Sequence, residues 1–146
     1  HRHLGIAVPQ TWRRRSDPDT GVLVAARATR LPASGVRPEL VLRICRADDG
    51  EDLTAWRERA MGELADLLVD FALEDDAEYD LMGHPVAYRR FAHRLGSADV
   101  LCDQWAWLAH GTGVTLTCSV ARVEYADYSD LFDAVAATVD LLPDVA

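Results

Sequence analysis

The chain is 146 residues long, 49% hydrophobic, with a formal net charge of −9. That length suits one domain over residues 1–146 with a core of its own, and that apolar content excludes a disordered tail. The negative charge argues against nucleic acid or an anionic membrane surface as the main partner, because both demand a cationic footprint.

Gly5-Ile6-Ala7-Val8, ended by Pro9, reads as a first strand with Trp12 just beyond it. Arg13-Arg14-Arg15 and Ser16-Asp17-Pro18-Asp19 read as a solvated loop, since three charges are too few for a binding tract. Gly21 to Arg27 is a second strand, and Leu31 to Arg37, with Pro, Ser and Gly, a loop. Glu39 to Arg46 is a third strand: Leu40, Leu42 and Ile44 share one face, and Val41, Arg43 and Cys45 the other. Asp48 to Asp52 is an acidic turn.

Helical period then runs from Leu53 to about Phe71 through Trp56, Ala60, Leu64 and Leu67, with Asp52 as its cap and an Arg59–Glu63 pair on one face. Glu74-Asp75-Asp76 follows the helix, at the wrong end for its dipole, and reads as a solvated loop. From Tyr79 the period changes to two. The expected strands are Tyr79–Met82, Val86–Leu95, Val100–Ala109 and Val114–Glu124, turned at Gly83-His84-Pro85 and at His110–Gly113. Asp127 or Ser129 caps a last helix whose apolar face is Leu131, Phe132, Val135, Val139 and Leu142. The pattern predicts an α+β fold: a single curled, mostly antiparallel sheet of about six to seven strands with two main helices packed on it.

This order, with the segments Gly5-Ile-Ala-Val-Pro-Gln-Thr-Trp12, Gly35-Val-Arg-Pro-Glu-Leu-Val-Leu42, Val114-Thr-Leu-Thr-Cys-Ser119 and Tyr128-Ser-Asp-Leu-Phe-Asp-Ala-Val135, resembles the superfamily of the photosystem protein PsbP and the Ran-binding import factor of the Mog type. The chain looks like a small actinobacterial-type member. The resemblance implies an αβα sandwich and a binding or assembly role without a shared catalytic residue. One branch comprises dedicated chaperones of type VI secretion effectors, so a secretion-associated role is also implied.

The chemistry-bearing residues form no recognised constellation. All fifteen basic residues are Arg, which removes lysine Schiff-base chemistry and the phosphate-loop lysine. Cys45, Cys102 and Cys118 stand at no metal spacing and read as buried reduced thiols. Cys102 and Cys118 flank the 110–113 turn and face each other if that turn centres near residue 110 or 111, which leaves a bridge open. His84, His93 and His110 are scattered, and Gly111-Thr112-Gly113 precedes a strand rather than the helix a phosphate cradle needs. The carboxylate runs sit in expected loops, away from the apolar pocket that acid–base work requires. No metal, cofactor or membrane insertion is expected, and without a signal pattern the expected compartment is cytoplasmic.

The strand Val100–Ala109 is apolar on both sides. Leu101, Asp103, Trp105 and Trp107 share one face, and Val100, Cys102, Ala106 and Leu108 the other. It is either central and covered twice, or one face is an open aromatic platform. Tyr88, Arg90 and Arg94 share a face of the neighbouring strand. Trp, Tyr and Arg concentrate interface energy, so Trp105, Trp107, Tyr88, Arg90 and Arg94 are the candidate partner-binding residues. The leading expectation is a non-catalytic adaptor or chaperone-like module holding a protein or peptide segment on that sheet face or in a groove beside the first helix. The alternative is a small-molecule or lipid-binding domain, or a weak hydrolase, with Tyr88, Asp103, His93 and Cys102 in a pocket between sheet and helices. A third is a homodimer formed through an unpaired edge strand, with Gly21–Arg27 the candidate.

Overall fold

The structure, a computed structural model, describes residues 5–141. Its elements are β1 (Arg13–Asp17), β2 (Val22–Arg27), β3 (Glu39–Arg46), α1 (Leu53–Leu67), β4 (Val69–Leu81), β5 (His84–Leu95), β6 (Ala98–Ala109), β7 (Thr112–Ala121) and α2 (Tyr125–Ala137). The seven strands form one antiparallel sheet in the order β1-β2-β3-β7-β6-β5-β4. No helix among the described residues is long and apolar enough to cross a membrane.

Three two-residue hairpins drive β4 through β7. Met82-Gly83 and His110-Gly111 both have positive φ at each residue, the backbone of a type I′ turn, which matches the twist of the flanking strands. The tighter turn at His110-Gly111 pairs Ala109 with Thr112 and so fixes the register of the whole β6–β7 ladder. Cys102 therefore lies opposite Ser119, and Cys118 opposite Asp103. The two thiols point to opposite faces of the sheet and both are free, which corrects the facing arrangement that a turn centred near residue 110 or 111 allowed.

Both edges differ from the sequence expectation, and for the same reason. Arg13–Asp17 is not a loop but edge strand β1, paired with β2 from Arg13↔Arg27 to Asp17↔Val22. The acidic run Glu74-Asp75-Asp76 is not a loop either: it lies within β4, the opposite edge, almost wholly exposed. Charge hides strand character from a hydrophobic pattern, yet charge on an edge is how a sheet avoids pairing with another chain. Strand β2 is internal, so it cannot serve as the edge of a homodimer. Helix α1 stops at Leu67 because Leu68 is already extended (φ −95°, ψ 141°) and Asp70 takes φ 56° at a bulge that starts β4.

The remaining shifts are at element ends. Among the described residues, Gly5–Val8 forms a bridge rather than a strand, through Gly5 N–H to Asp140 O at 3.1 Å and Asp140 N–H to Gly5 O at 2.8 Å. Strand β7 ends at Ala121, and α2 begins at Tyr125 with no side-chain cap, before the expected Asp127 or Ser129. Leu142 lies outside the described residues. Asp52 does cap α1, its Oδ1 accepting from Ala55 N–H at 2.8 Å, and Arg59 and Glu63 pair at 3.2 Å.

The helices cover opposite faces. On one, α2 sets Phe132, Val135 and Ala136 against Leu40, Leu42, Trp105, Leu116 and Val120. On the other, α1 sets Met61 over Phe91 and Cys102, and Trp56 over Ala106. Helix α1 lies over β4, β5 and β6. Among the described residues, no helix packs along the β2–β3–β7 half of that face, which α1 reaches through Trp56 at Gly113.

Candidate functional site: the groove beside α1

The gap left by α1 is a half-open groove of about 760 Å³. Its walls are α1 residues such as Ala60 and Leu64, the 31–37 loop with Val36, and the sheet residues Val41, Val100 and Phe91. Volume in this range is what ligand-holding clefts use.

The polar core of the groove is built around Arg57. The residue follows Trp56 on the inward stripe of α1 and is 3% exposed. Its guanidinium lies 4.5 Å from the centroid of the Trp56 ring, a cation–π contact. Nη2 donates to Gln104 Oε1 at 2.5 Å, and Gln104 Nε2 donates in turn to Thr117 Oγ1 at 3.0 Å. Among the described residues, Nε has no hydrogen-bond partner. Burial, with the neighbouring Arg89 and Arg59 cations, lowers its pKa to about 10, so the group remains a cation at neutral pH. Trp56 can sit this close to the sheet only because position 113 is Gly: a Cβ there would come within 2.3 Å of the indole.

Arg57, Gln104, Thr117 and Gly113 were not among the candidate site residues read from the sequence. The signal was present for Arg57, which stands four residues from both Leu53 and Met61, on the stripe that packs inward. The role of Gly113 follows only from the three-dimensional approach of Trp56.

The residues that sequence reasoning did single out lie mostly on the α2 face. Trp105 and Trp107 are 2% and 3% exposed under α2, so the strand is covered twice and the open platform does not form. Trp105 Nε1 donates to Tyr79 Oη at 3.0 Å, and its ring tilts against Tyr88 at 5.3 Å between centroids. The Tyr88 hydroxyl donates to Asp103 Oδ1 at 2.5 Å, and Tyr125 to Asp103 Oδ2 at 2.9 Å. Burial raises the Asp103 pKa while these two hydroxyls pull it back. Burial, then Asp103, pushes the Tyr88 phenol well up.

Arg90 and Arg94 already face carboxylates of the chain itself. Arg90 Nε lies 3.9 Å from Glu74, and Arg94 Nε 3.2 Å from Asp70, both carboxylates of β4. The pocket set is split as well: Tyr88 and Asp103 face α2, whereas His93 and Cys102 line the α1 groove. Burial pushes the Cys102 thiol up to about 12, which suits a core thiol and not a nucleophile. Among the described residues, no group of three or more His, Cys, Asp or Glu is placed to share a metal ion.

No family model and no curated protein matches the chain at the level of sequence. Solved structures do. LpqN of Mycobacterium tuberculosis, described as involved in cell envelope biogenesis, is similar at TM-score 0.76 and 16% identity, over 98% of this chain and 85% of that one. The Synechocystis PsbP protein CyanoP is similar at TM-score 0.71 and 18% identity, over 95% and 86%. The Saccharomyces cerevisiae Ran-binding protein Mog1p is similar at TM-score 0.66 and 11% identity, over 94% and 89%. At these identities the likeness concerns the fold. The seven-stranded antiparallel sheet with α1 and α2 on its two faces is a PsbP/Mog-like fold.

Proposed function

We propose that the chain is a non-catalytic binding module of adaptor or chaperone type, and that it holds a segment of a partner protein in the groove beside α1. The observation that carries this reading is the groove itself: a half-open cleft of about 760 Å³ with an apolar wall and a polar core, on a sheet whose other face is sealed by α2. Strands β3 and β7 at its floor are paired on both sides, so a bound segment adds no strand and is recognised through its side chains. The Ran-binding description of one structural neighbour is in keeping with a protein partner. Free thiols suit a reducing compartment, and the reading places the protein in the cytoplasm.

A second reading draws on the same cleft. Its volume lies within the range of small-molecule pockets, and His93 and Cys102 line it, so an apolar small molecule or lipid is the competing occupant.

The test is differential capture. Ala60→Trp places an indole in the groove without touching the buried cluster under α2. Wild-type protein and Ala60→Trp are used as bait in lysate of the source cells, with Val123→Asp, at an exposed site outside the groove, as control. A partner identified by mass that is recovered by wild type and Val123→Asp but lost with folded Ala60→Trp is the expected result. Equal recovery by folded Ala60→Trp rejects the groove.

A further inference from the structure

The arginines of this protein differ in whether a carboxylate faces them, and Arg13, Arg14, Arg15 and Arg30, outside the groove, have none within 4.0 Å among the described residues. Those facing the acidic edge strand are matched: Arg89 with Glu78, Arg90 with Glu74, Arg94 with Asp70, and Arg122 with Glu74 and Asp99. Of the six lining the groove, Arg59 is matched as well, with Asp48, Glu51 and Glu63, and the other five are not. Among the described residues, none of Arg27, Arg37, Arg43, Arg46 and Arg57 has a carboxylate oxygen within 4.0 Å. Six arginines and only two carboxylates, Glu39 and Glu63, line the groove of a chain whose net charge is −9. With twenty-four acidic residues available for fifteen arginines, five arginines without a carboxylate partner share this cleft and give it positive charge.

Arg57 sharpens the point. A buried cation is costly unless it is paired, and this one is 3% exposed with a single side-chain hydrogen bond, to a neutral amide, and an Nε with no partner. The cation–π contact with Trp56 and the Gln104–Thr117 relay hold the guanidinium in one orientation without neutralising it. Fixed donors of a buried guanidinium suit a carboxylate, which accepts from the planar fork in a way that an amide or hydroxyl does not. The same groove is lined by the apolar Val41, Leu64, Phe91 and Val100.

We infer that the groove recognises a partner segment carrying an Asp or Glu flanked by apolar residues, the acid seated at Arg57 with Arg43 as an outer contact and the neighbours packed on Phe91, Val100 and Leu64. The inference rests on the reading of the groove as a peptide-holding site and adds the chemistry of what it holds. The outer arginines steer an acidic segment toward the cleft, and Arg57 selects it. The free protein carries the cost of an unmatched buried charge, which the ligand relieves.

The experiment is selection of a phage-displayed random dodecapeptide library on the immobilised protein, followed by affinity measurement of the selected synthetic peptides. Four proteins are compared: wild type, Arg57→Met, Arg43→Gln and the groove-filled Ala60→Trp. The expected outcome is a pool enriched in one Asp or Glu between apolar residues. Those peptides bind Arg57→Met at least tenfold more weakly and Arg43→Gln about threefold more weakly, with an affinity that falls as salt rises. Arg57→Met should melt at the same temperature as wild type or higher, because it removes an unmatched buried charge while keeping the stem. If Arg57→Met does not fold, the acidic enrichment, the Arg43→Gln loss and the salt dependence still decide. Peptides that are blocked by Ala60→Trp but show no acidic preference overturn this inference and leave the groove reading standing. Peptides that bind Ala60→Trp as well as wild type, or no enrichment at all, overturn both.

Discussion

The Trp56 indole lies against the backbone of Gly113, so close that a Cβ at position 113 would meet Cη2 and Cζ2 at 2.3 Å. The requirement is steric, since Gly113 has no positive φ. Gly113→Ala is expected to destabilise the protein by about 1–3 kcal/mol through overpacking. In a Trp56→Leu background the same change should cost nothing or stabilise slightly, because glycine inside a strand is otherwise unfavourable relative to Ala. Urea unfolding of the two single variants and the double variant measures the coupling. Additive costs would mean that Trp56 does not occupy this position.

The same contact shows where sequence reasoning reaches and where it stops. Strands β5 to β7 were legible because Val114, Leu116, Cys118 and Val120 alternate with polar residues and because Gly83 and Gly111 mark the hairpins. Strands β1 and β4 were hidden because their charges, Arg13-Arg14-Arg15 and Glu74-Asp75-Asp76, imitate loops. The position of a turn to within one residue decided whether Cys102 and Cys118 share a face, and composition does not fix that. Trp105 and Trp107 illustrate a different gap. An aromatic strand face reads identically whether a helix covers it or not, and only the packing of Phe132 and Val135 decides. The groove beside the first helix was foreseeable as a place; its Arg57 core needed the helix placed on the sheet.

Asp103 links stability to pH on the α2 face. Burial raises its pKa above the ordinary 3.8, so the native state binds this proton more tightly than the unfolded chain. Stability from this group is therefore greatest at low pH and falls as pH rises from about 3.8 through the raised value. Asp103→Asn keeps an acceptor for the Tyr88 and Tyr125 hydroxyls and removes the titration. The difference in unfolding free energy between Asp103→Asn and wild type should rise in favour of the variant across that window and then level off. Asp103→Leu should instead lose about 2–5 kcal/mol, since it leaves two hydroxyls without their acceptor. Parallel pH profiles of wild type and Asp103→Asn would contradict the assignment.

Glu51 gives the opposite sign. Arg59 grips it with two hydrogen bonds of 2.8 Å, and Asp48 N–H donates to it at 2.8 Å. The Arg59 guanidinium, then the Asp48 amide, lower its pKa from the ordinary 4.5 to about 2. This contribution is fully present above pH 4.5 and is lost as pH falls toward 2. Glu51→Gln should be less stable than wild type at neutral pH, with the two stability curves converging as the pH drops through that interval. The closed loop also positions Asp52, the α1 cap, so hydrogen exchange at Ala55 N–H should quicken in the variant. Curves that stay separate down to pH 2 would place the effect elsewhere.

The three thiols report on both faces and on the groove at once. Cys118 is wholly buried on the α2 face, Cys102 is 3% exposed under α1, and Cys45 is half-buried in the groove wall. Desolvation raises the thiol pKa of Cys102 to about 12 and that of Cys118 well above its ordinary value, so both are protonated and shielded at pH 8. A disulfide-exchange reagent should therefore modify one thiol per native chain quickly, and Cys45→Ser should abolish that phase. The other two thiols should react only at the rate of global unfolding, accelerating together in denaturant. Intact mass without reductant should correspond to three free thiols, because opposite faces of one sheet cannot bridge Cys102 to Cys118. Modification of Cys45 places a bulky group in the groove wall, so the labelled protein should also lose its partner segment. Two or three fast thiols in the native chain, or a mass lower by one disulfide, would contradict the register on which the groove is built.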